Sequence, residues 1–270
     1  MDTQIPDGKI LLGCYEIQRF LGRGGFGETY KAIDKLKMDS CCVIKRLKPK
    51  KTDDDTLKAA RTLFKREAQF LYKLGSHNQI PRLLADFEEE EEFYLAQEYI
   101  PGEDFKKELE FFKQLSETQV IDFLQDVLHI LKFVHQHHVI HRDIKPSNLI
   151  RRRSDGKFVL IDFGSVKQIS TQETSSDGLT SSTIAVGTRG YMPNEQQGGK
   201  PRPSSDIYAL GMTAIHALTG IAPIDLKEDS RTGEVIWHHL AANINKRLVA
   251  ILDKWCDRIT QTVTMMLMRS

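Results

Sequence analysis

The order of apolar and polar positions divides the chain into a strand-rich first part and a helix-rich second part. Tyr15-Glu16-Ile17-Gln18-Arg19-Phe20-Leu21 alternates weakly and reads as a strand, and Thr29-Tyr30-Lys31-Ala32 reads as a second. Between them lies Gly22-Arg23-Gly24-Gly25-Phe26-Gly27, so the glycines belong to a hairpin. Cys42-Val43-Ile44-Lys45 is a further strand, and residues 80–87 and 92–99 form two more around an acidic turn. From about Ala60, apolar residues at Leu63, Phe64, Phe70, Leu71 and Leu74 take helical spacing. Residues 120–136 are apolar on most sides, as in a largely buried helix.

Composition narrows the function classes. Lys plus Arg (38) nearly balance Asp plus Glu (37) over 270 residues, which leaves a formal charge of +1. Nothing global therefore argues for nucleic acid or an anionic membrane as partner. Cys14, Cys41, Cys42 and Cys256 lack metal-ligand or redox-motif spacing and read as reduced thiols of a cytoplasmic protein. No leader and no membrane-spanning run is legible. His135, His137 and His138 do not form a zinc set. The acidic runs 53–55 and 88–92 read as solvated loop charge, and Arg151-Arg152-Arg153-Ser154-Asp155-Gly156-Lys157 reads as a hairpin turn.

The candidate chemistry is concentrated in His141-Arg142-Asp143-Ile144-Lys145-Pro146-Ser147-Asn148, followed by an apolar run and Asp162-Phe163-Gly164. Two carboxylates, a lysine and an asparagine beside a strand suit metal-assisted chemistry on a phosphate. The glycine-rich turn suits the same substrate. Backbone amides can approach phosphate oxygens only where no side chain intervenes. A Rossmann turn would be followed by a helix; this one is followed by a strand.

The order His-Arg-Asp, four residues, Asn, then Asp-Phe-Gly resembles the catalytic core of protein kinases. Lys145 two places after Asp143 resembles the serine/threonine class, and Ser205-Asp206-Ile207-Tyr208-Ala209-Leu210-Gly211 resembles its cyanobacterial branch. The resemblance implies an α+β, two-lobed fold with a small antiparallel sheet lobe (15–99) and a mostly helical large lobe (100–254), after an extension at 1–14. It implies ATP in the cleft, contacted by Leu21, Gly22, Arg23, Gly24, Gly25, Phe26, Gly27, Glu28 and Thr29. Lys45 would hold the α- and β-phosphates and pair with Glu67. Backbone groups of Glu98 and Ile100 would hold adenine, with Gln97 limiting the pocket and Glu103 or Asp104 near the ribose. Asp143 would orient the attacking hydroxyl, Lys145 would steady the γ-phosphate, and Asn148 and Asp162 would hold Mg2+. Arg142 would pair with a phosphate on Thr180, Ser181, Ser182 or Thr183, and Thr188 would touch Asp143 and Lys145. Asp206 would begin a buried helix and brace the backbone near His141. The implied substrates are Ser and Thr hydroxyls of proteins, without nucleic acid.

Two departures bear on this expectation. Met192-Pro193-Asn194-Glu195-Gln196 stands where kinases usually have Ala-Pro-Glu, with Glu195 kept in register. The resemblance then stops after Lys254, and 255–270 reads as an aberrant tail, explicable as a frameshift or truncation. The expectation is that the last helices are missing and that Glu195 lacks its arginine. The competing function is an ATP-binding pseudokinase or scaffold.

Overall fold

The computed structural model describes residues 4–24, 27–48, 54–168, 187–241 and 243–257. The chain forms two compact units, Met1–Pro101 and Gly102–Ser270.

The first unit is built on one antiparallel sheet. Its strands are β1 (Ile10–Leu11), β2 (Tyr15–Arg23), β3 (Gly27–Asp34), β4 (Ser40–Leu47), β5 (Leu83–Glu89) and β6 (Glu92–Glu98), in the order β1-β2-β3-β4-β6-β5. Helix α1 (Asp54–Leu74) joins β4 to β5 and starts about six residues before the hydrophobic pattern predicts. That first turn has no apolar period; it opens on Asp54 and Asp55, acidic residues of the kind a helix N-terminus favours.

Register decides which side chains share a face. Thr29 is opposite Lys45, Lys31 is opposite Val43, and Val43 is opposite Gln97. Directly opposed residues point the same way, so Thr29, Lys31, Val43, Lys45 and Gln97 line one face. Glu28, Tyr30, Ile44 and Arg46 line the other. Residues before Tyr15 cover this second face: Ile5, Leu11 and Cys14 are buried with Tyr30 and Ile44. Two glutamates of the acidic turn hold that segment down. Glu90 pairs with Lys9 at 2.7 Å, and Glu89 accepts from the Leu12 amide at 2.6 Å.

The second unit is mostly helical. It comprises β7 (Gly102–Asp104), α2 (Phe105–Phe112), α3 (Glu117–Gln136), β8 (Val139–Ile140), β9 (Leu149–Arg152), β10 (Phe158–Leu160), β11 (Lys167–Gln168), α4 (Asn194–Gln197), α5 (Pro203–Thr219) and α6 (Lys246–Cys256). Ser116 and Gln119 form a capping box that starts α3. Helix α5 is buried on nearly every side, as its all-round apolar sequence requires. Leu248, Leu252 and Cys256 repeat every four residues and give α6 its buried stripe. Cys256 belongs to this helix, and a Cβ at Gly211 would lie 2.7 Å from its sulfur, so glycine is what lets α5 and α6 approach.

Candidate active site

In the first unit, β2 and β3 carry the glycine-rich turn, of which Gly25 and Phe26 lie outside the described residues. The Gly24 amide donates to the Gly27 carbonyl at 2.8 Å. A Cβ at Gly27 would overlap the Arg46 carbonyl, so this glycine is required by the neighbouring strand. Lys45 forms an ion pair with Glu67, which is buried on α1. Gln97 and Ile100 are buried, and the side-chain oxygen of Gln97 has no hydrogen-bond partner among the described residues. Glu98 pairs with Arg82 at 3.1 Å. The Glu28 side chain stands on the face opposite Thr29 and Lys45, where it accepts from Tyr30 and Arg23.

The second unit gathers the His-Arg-Asp stretch into one hydrogen-bonded cluster. Lys145 Nζ donates to Asp143 Oδ2 at 2.7 Å and to Thr188 Oγ1 at 2.8 Å. Thr188 in turn donates to Asp143 Oδ1 at 2.9 Å. Asn148 Nδ2 donates to the Asp143 carbonyl at 2.8 Å and to Oδ2 at 3.0 Å. The amide nitrogen is thereby committed to Asp143, which orients the amide oxygen the other way. Asp162 closes β10 in a left-handed conformation, φ 67°. Arg142 is also left-handed, φ 69°. Such backbone costs of order 1–3 kcal/mol and persists where surroundings enforce it.

Those surroundings are identifiable. Asp206, fully buried at the start of α5, accepts from the amides of His141 at 2.9 Å and Arg142 at 2.8 Å, and from His135 Nε2 at 2.8 Å. Burial pushes its pKa up, but the His135 hydrogen bond and the neighbouring histidines and amides outweigh burial and hold it below the ordinary carboxylate value. Gln196 Nε2 donates to the Arg142 carbonyl at 2.6 Å. The Arg142 guanidinium donates to the carbonyls of Ser165 and Val166 and so pins the start of the segment after Asp162. Phe163 is buried edge-on to His141, with ring centroids 4.9 Å apart.

A sequence profile of the protein kinase domain matches residues 15–269. The chain belongs to the protein kinase family. It is similar to serine/threonine-protein kinase PknA of Nostoc sp., 43% identical over 91% of this chain and 44% of that protein. It is also similar to serine/threonine-protein kinase C of Synechocystis sp., 45% identical over 91% of this chain and 46% of that protein. A kinase of Myxococcus xanthus, pkn3, is 32% identical over 88% of this chain and 43% of its own length. The chain thus spans less than half the length of these curated relatives.

Other residues that the sequence pattern singled out have the following partners. Asp104 caps α2 by accepting from the Lys106 amide at 2.8 Å. Glu103 pairs with Arg153 at 3.4 Å on an exposed surface. Arg152 pairs with Asp155 inside the hairpin at 2.6 Å, whereas Arg151 pairs with Glu108 on α2 at 2.8 Å. Glu195 accepts from Ser205 Oγ at 2.7 Å, so a hydroxyl meets the carboxylate for which the sequence offered no arginine. Thr180, Ser181, Ser182 and Thr183 lie outside the described residues, as do 258–270 of the expected tail. The pattern missed Tyr191, whose hydroxyl lies 2.8 Å from His216 Nδ1, and Asp126, which accepts from the Phe158 amide at 2.6 Å. Asp126 was signalled only as a polar residue inside an apolar stretch, and Tyr191, in a polar segment, had no such signal.

Proposed function

We propose that this kinase domain transfers the γ-phosphate of ATP to serine or threonine hydroxyls of protein substrates. The observation that carries the reading is the Thr188 bridge, which ties Asp143 and Lys145 to the segment at 187–193. Asp143, held by Lys145, Thr188 and Asn148, is positioned to accept a hydrogen bond from an incoming hydroxyl and align it. Lys145 supplies a cation beside that carboxylate for the charge that develops on the transferred phosphoryl group. In the first unit, Lys45 keeps a fixed position through Glu67 and serves the α- and β-phosphates. The buried oxygen of Gln97, without a partner among the described residues, fits a donor such as the adenine amino group.

The donor set also fits Mg2+. Asn148 and Asp162 offer oxygen ligands, and no cluster of three or more His, Cys, Asp or Glu among the described residues could hold a metal alone. A hard cation that completes its shell with phosphate and water suits two such ligands. When bound, it would neutralise charge on the β- and γ-phosphates. The reading places the protein in the cytoplasm, supported by four cysteines without disulfides. Among the described residues no helix is long and apolar enough to cross a membrane.

The test is transfer of labelled γ-phosphate to the protein itself and to a generic basic protein, with Asp143→Asn as the blank. Incorporation in the wild type alone, on serine or threonine by mass spectrometry, is expected. Equal incorporation in Asp143→Asn overturns the reading. The same spectra report whether Thr180, Ser181, Ser182 or Thr183 carries a phosphate for Arg142 to pair with.

A further inference from the structure

Glu28 is the first residue after the glycine-rich turn, and it is only 1% exposed. A carboxylate leaves water only where strong partners replace its hydration. Here Arg23 Nη2 reaches Oε1 at 2.5 Å and the Tyr30 hydroxyl donates to Oε2 at 2.6 Å. Arg46 Nη1 lies at 3.3 Å and Lys48 Nζ at 3.5 Å. Burial pushes the Glu28 pKa up, but the Tyr30 and Arg23 hydrogen bonds and the charges of Lys48 and Arg46 outweigh it, so the group stays ionised.

The arrangement has a direction. Arg23 and Glu28 are the last paired residues on either side of the turn, so their side chains close the base of the hairpin. The Tyr30 hydroxyl that holds Glu28 itself accepts from the Ile5 amide at 3.1 Å. Arg46 pairs in addition with Glu92 on β6. The turn is thereby tied through Glu28 to the covering segment at 5–14 and to the sheet. All of this lies on the face away from Thr29 and Lys45, so the Glu28 side chain is not a ligand-facing group.

We propose that Glu28 is the positioning residue of the glycine-rich turn, and that its carboxylate sets affinity for the triphosphate of the nucleotide without setting affinity for the nucleoside. The inference rests on the reading that this turn holds the phosphates of ATP. The physical basis is pre-organisation. Glycine loses more backbone freedom on ordering than any other residue, and that loss opposes the approach of backbone amides to a phosphate. A buried carboxylate at one end of the turn, paired with Arg23 at the other, removes part of that loss before the ligand arrives. Adenosine makes no demand on the turn and should not sense the anchor.

The experiment compares wild type with Glu28→Ala, Glu28→Gln and Arg23→Ala. Arg23 serves as the second variant because its side chain is 42% exposed and its removal leaves no buried hole. Dissociation constants for Mg-ATP and for adenosine are measured by calorimetry, with KM and kcat from the transfer assay. Expected for Glu28→Ala and Arg23→Ala is a rise of roughly five- to tenfold in the ATP dissociation constant and KM, with adenosine and kcat within about twofold. Glu28→Gln, which keeps the shape and loses the charge, should fall between. Unchanged ATP affinity in Arg23→Ala and Glu28→Ala overturns the inference. So does equal weakening of ATP and adenosine, the mark of general structural loss. A wild type that binds neither ligand and transfers no phosphate would overturn the function itself, an outcome distinct from the other two.

Discussion

The hydroxyl of Thr188 donates to Asp143 Oδ1 at 2.9 Å across 45 positions of sequence. Because Lys145 donates to the same hydroxyl at 2.8 Å, one side chain fixes the spacing of a carboxylate and an ammonium. Removing it leaves Lys145 with Asp143 as its nearest anchor and removes the Thr188 tie between the segment at 187–193 and this pair. Thr188→Ala is expected to lower kcat by about 10- to 100-fold, the range associated with one positioned polar group. The KM for ATP should change little, since Lys45 and the glycine-rich turn are untouched. Thr188→Ser keeps the hydroxyl and should recover most of the rate. Steady-state transfer to a generic substrate measures both variants, and full kcat in Thr188→Ala would show the bridge to be incidental.

Asp206 supports the same residues from beneath. Its two oxygens accept three donors, two of them backbone amides next to Asp143. Asp206→Asn keeps the volume but turns an N–H2 group toward N–H donors. Leaving buried donors unmet costs about 1–3 kcal/mol each, so a loss of about 3 kcal/mol in unfolding free energy is expected. Urea denaturation with an unchanged m-value would measure it. Transfer activity should also fall at temperatures where the variant is still folded, because the His141–Arg142 backbone positions Asp143. A variant of wild-type stability would contradict this account.

The legible part of this domain was the part whose chemistry dictates residue type. In the proposed function Lys45, Asp143, Asn148 and Asp162 must carry those functional groups, and they stand out at fixed spacing. The residues that hold them were far less visible. Arg46 and Glu92 meet across 46 positions, and each alone reads as solvated strand charge. Glu28 carried a motif position but not its direction, because only the β3–β4 register shows that it faces away from Lys45. Residues 5–14 have no period and so gave no hint that Ile5 and Leu11 join the core. The Arg142 brace was anticipated as a phosphate partner, whereas its contacts with Ser165 and Val166 depend on a left-handed backbone that sequence does not announce.

Acid sensitivity follows from His141. Its ring is fully buried against Phe163, and its pKa lies below the ordinary 6.5. Burial disfavours the imidazolium, and this outweighs the upward pull of Asp206, Asp143 and Asp162, the charged groups that act on it. In the unfolded chain the same histidine takes a proton near 6.5. Between that value and the lower folded one, the unfolded state binds more protons, so stability falls as pH falls. The slope approaches about 1.4 kcal/mol per pH unit for one such group. Above 6.5 the effect vanishes. Asp206 acts in a separate window: its folded pKa is below the ordinary 3.8, so its contribution is complete above 3.8 and is lost only as pH falls further. His216, also lowered by burial, shares the sign of His141. Urea midpoints between pH 7.5 and 5.5 should therefore fall for wild type and fall less for His141→Phe. The difference between the two profiles isolates His141 from the other histidines, whatever the variant's absolute stability. Parallel profiles would mean that His141 titrates alike in both states, and the buried, neutral imidazole would have to be abandoned.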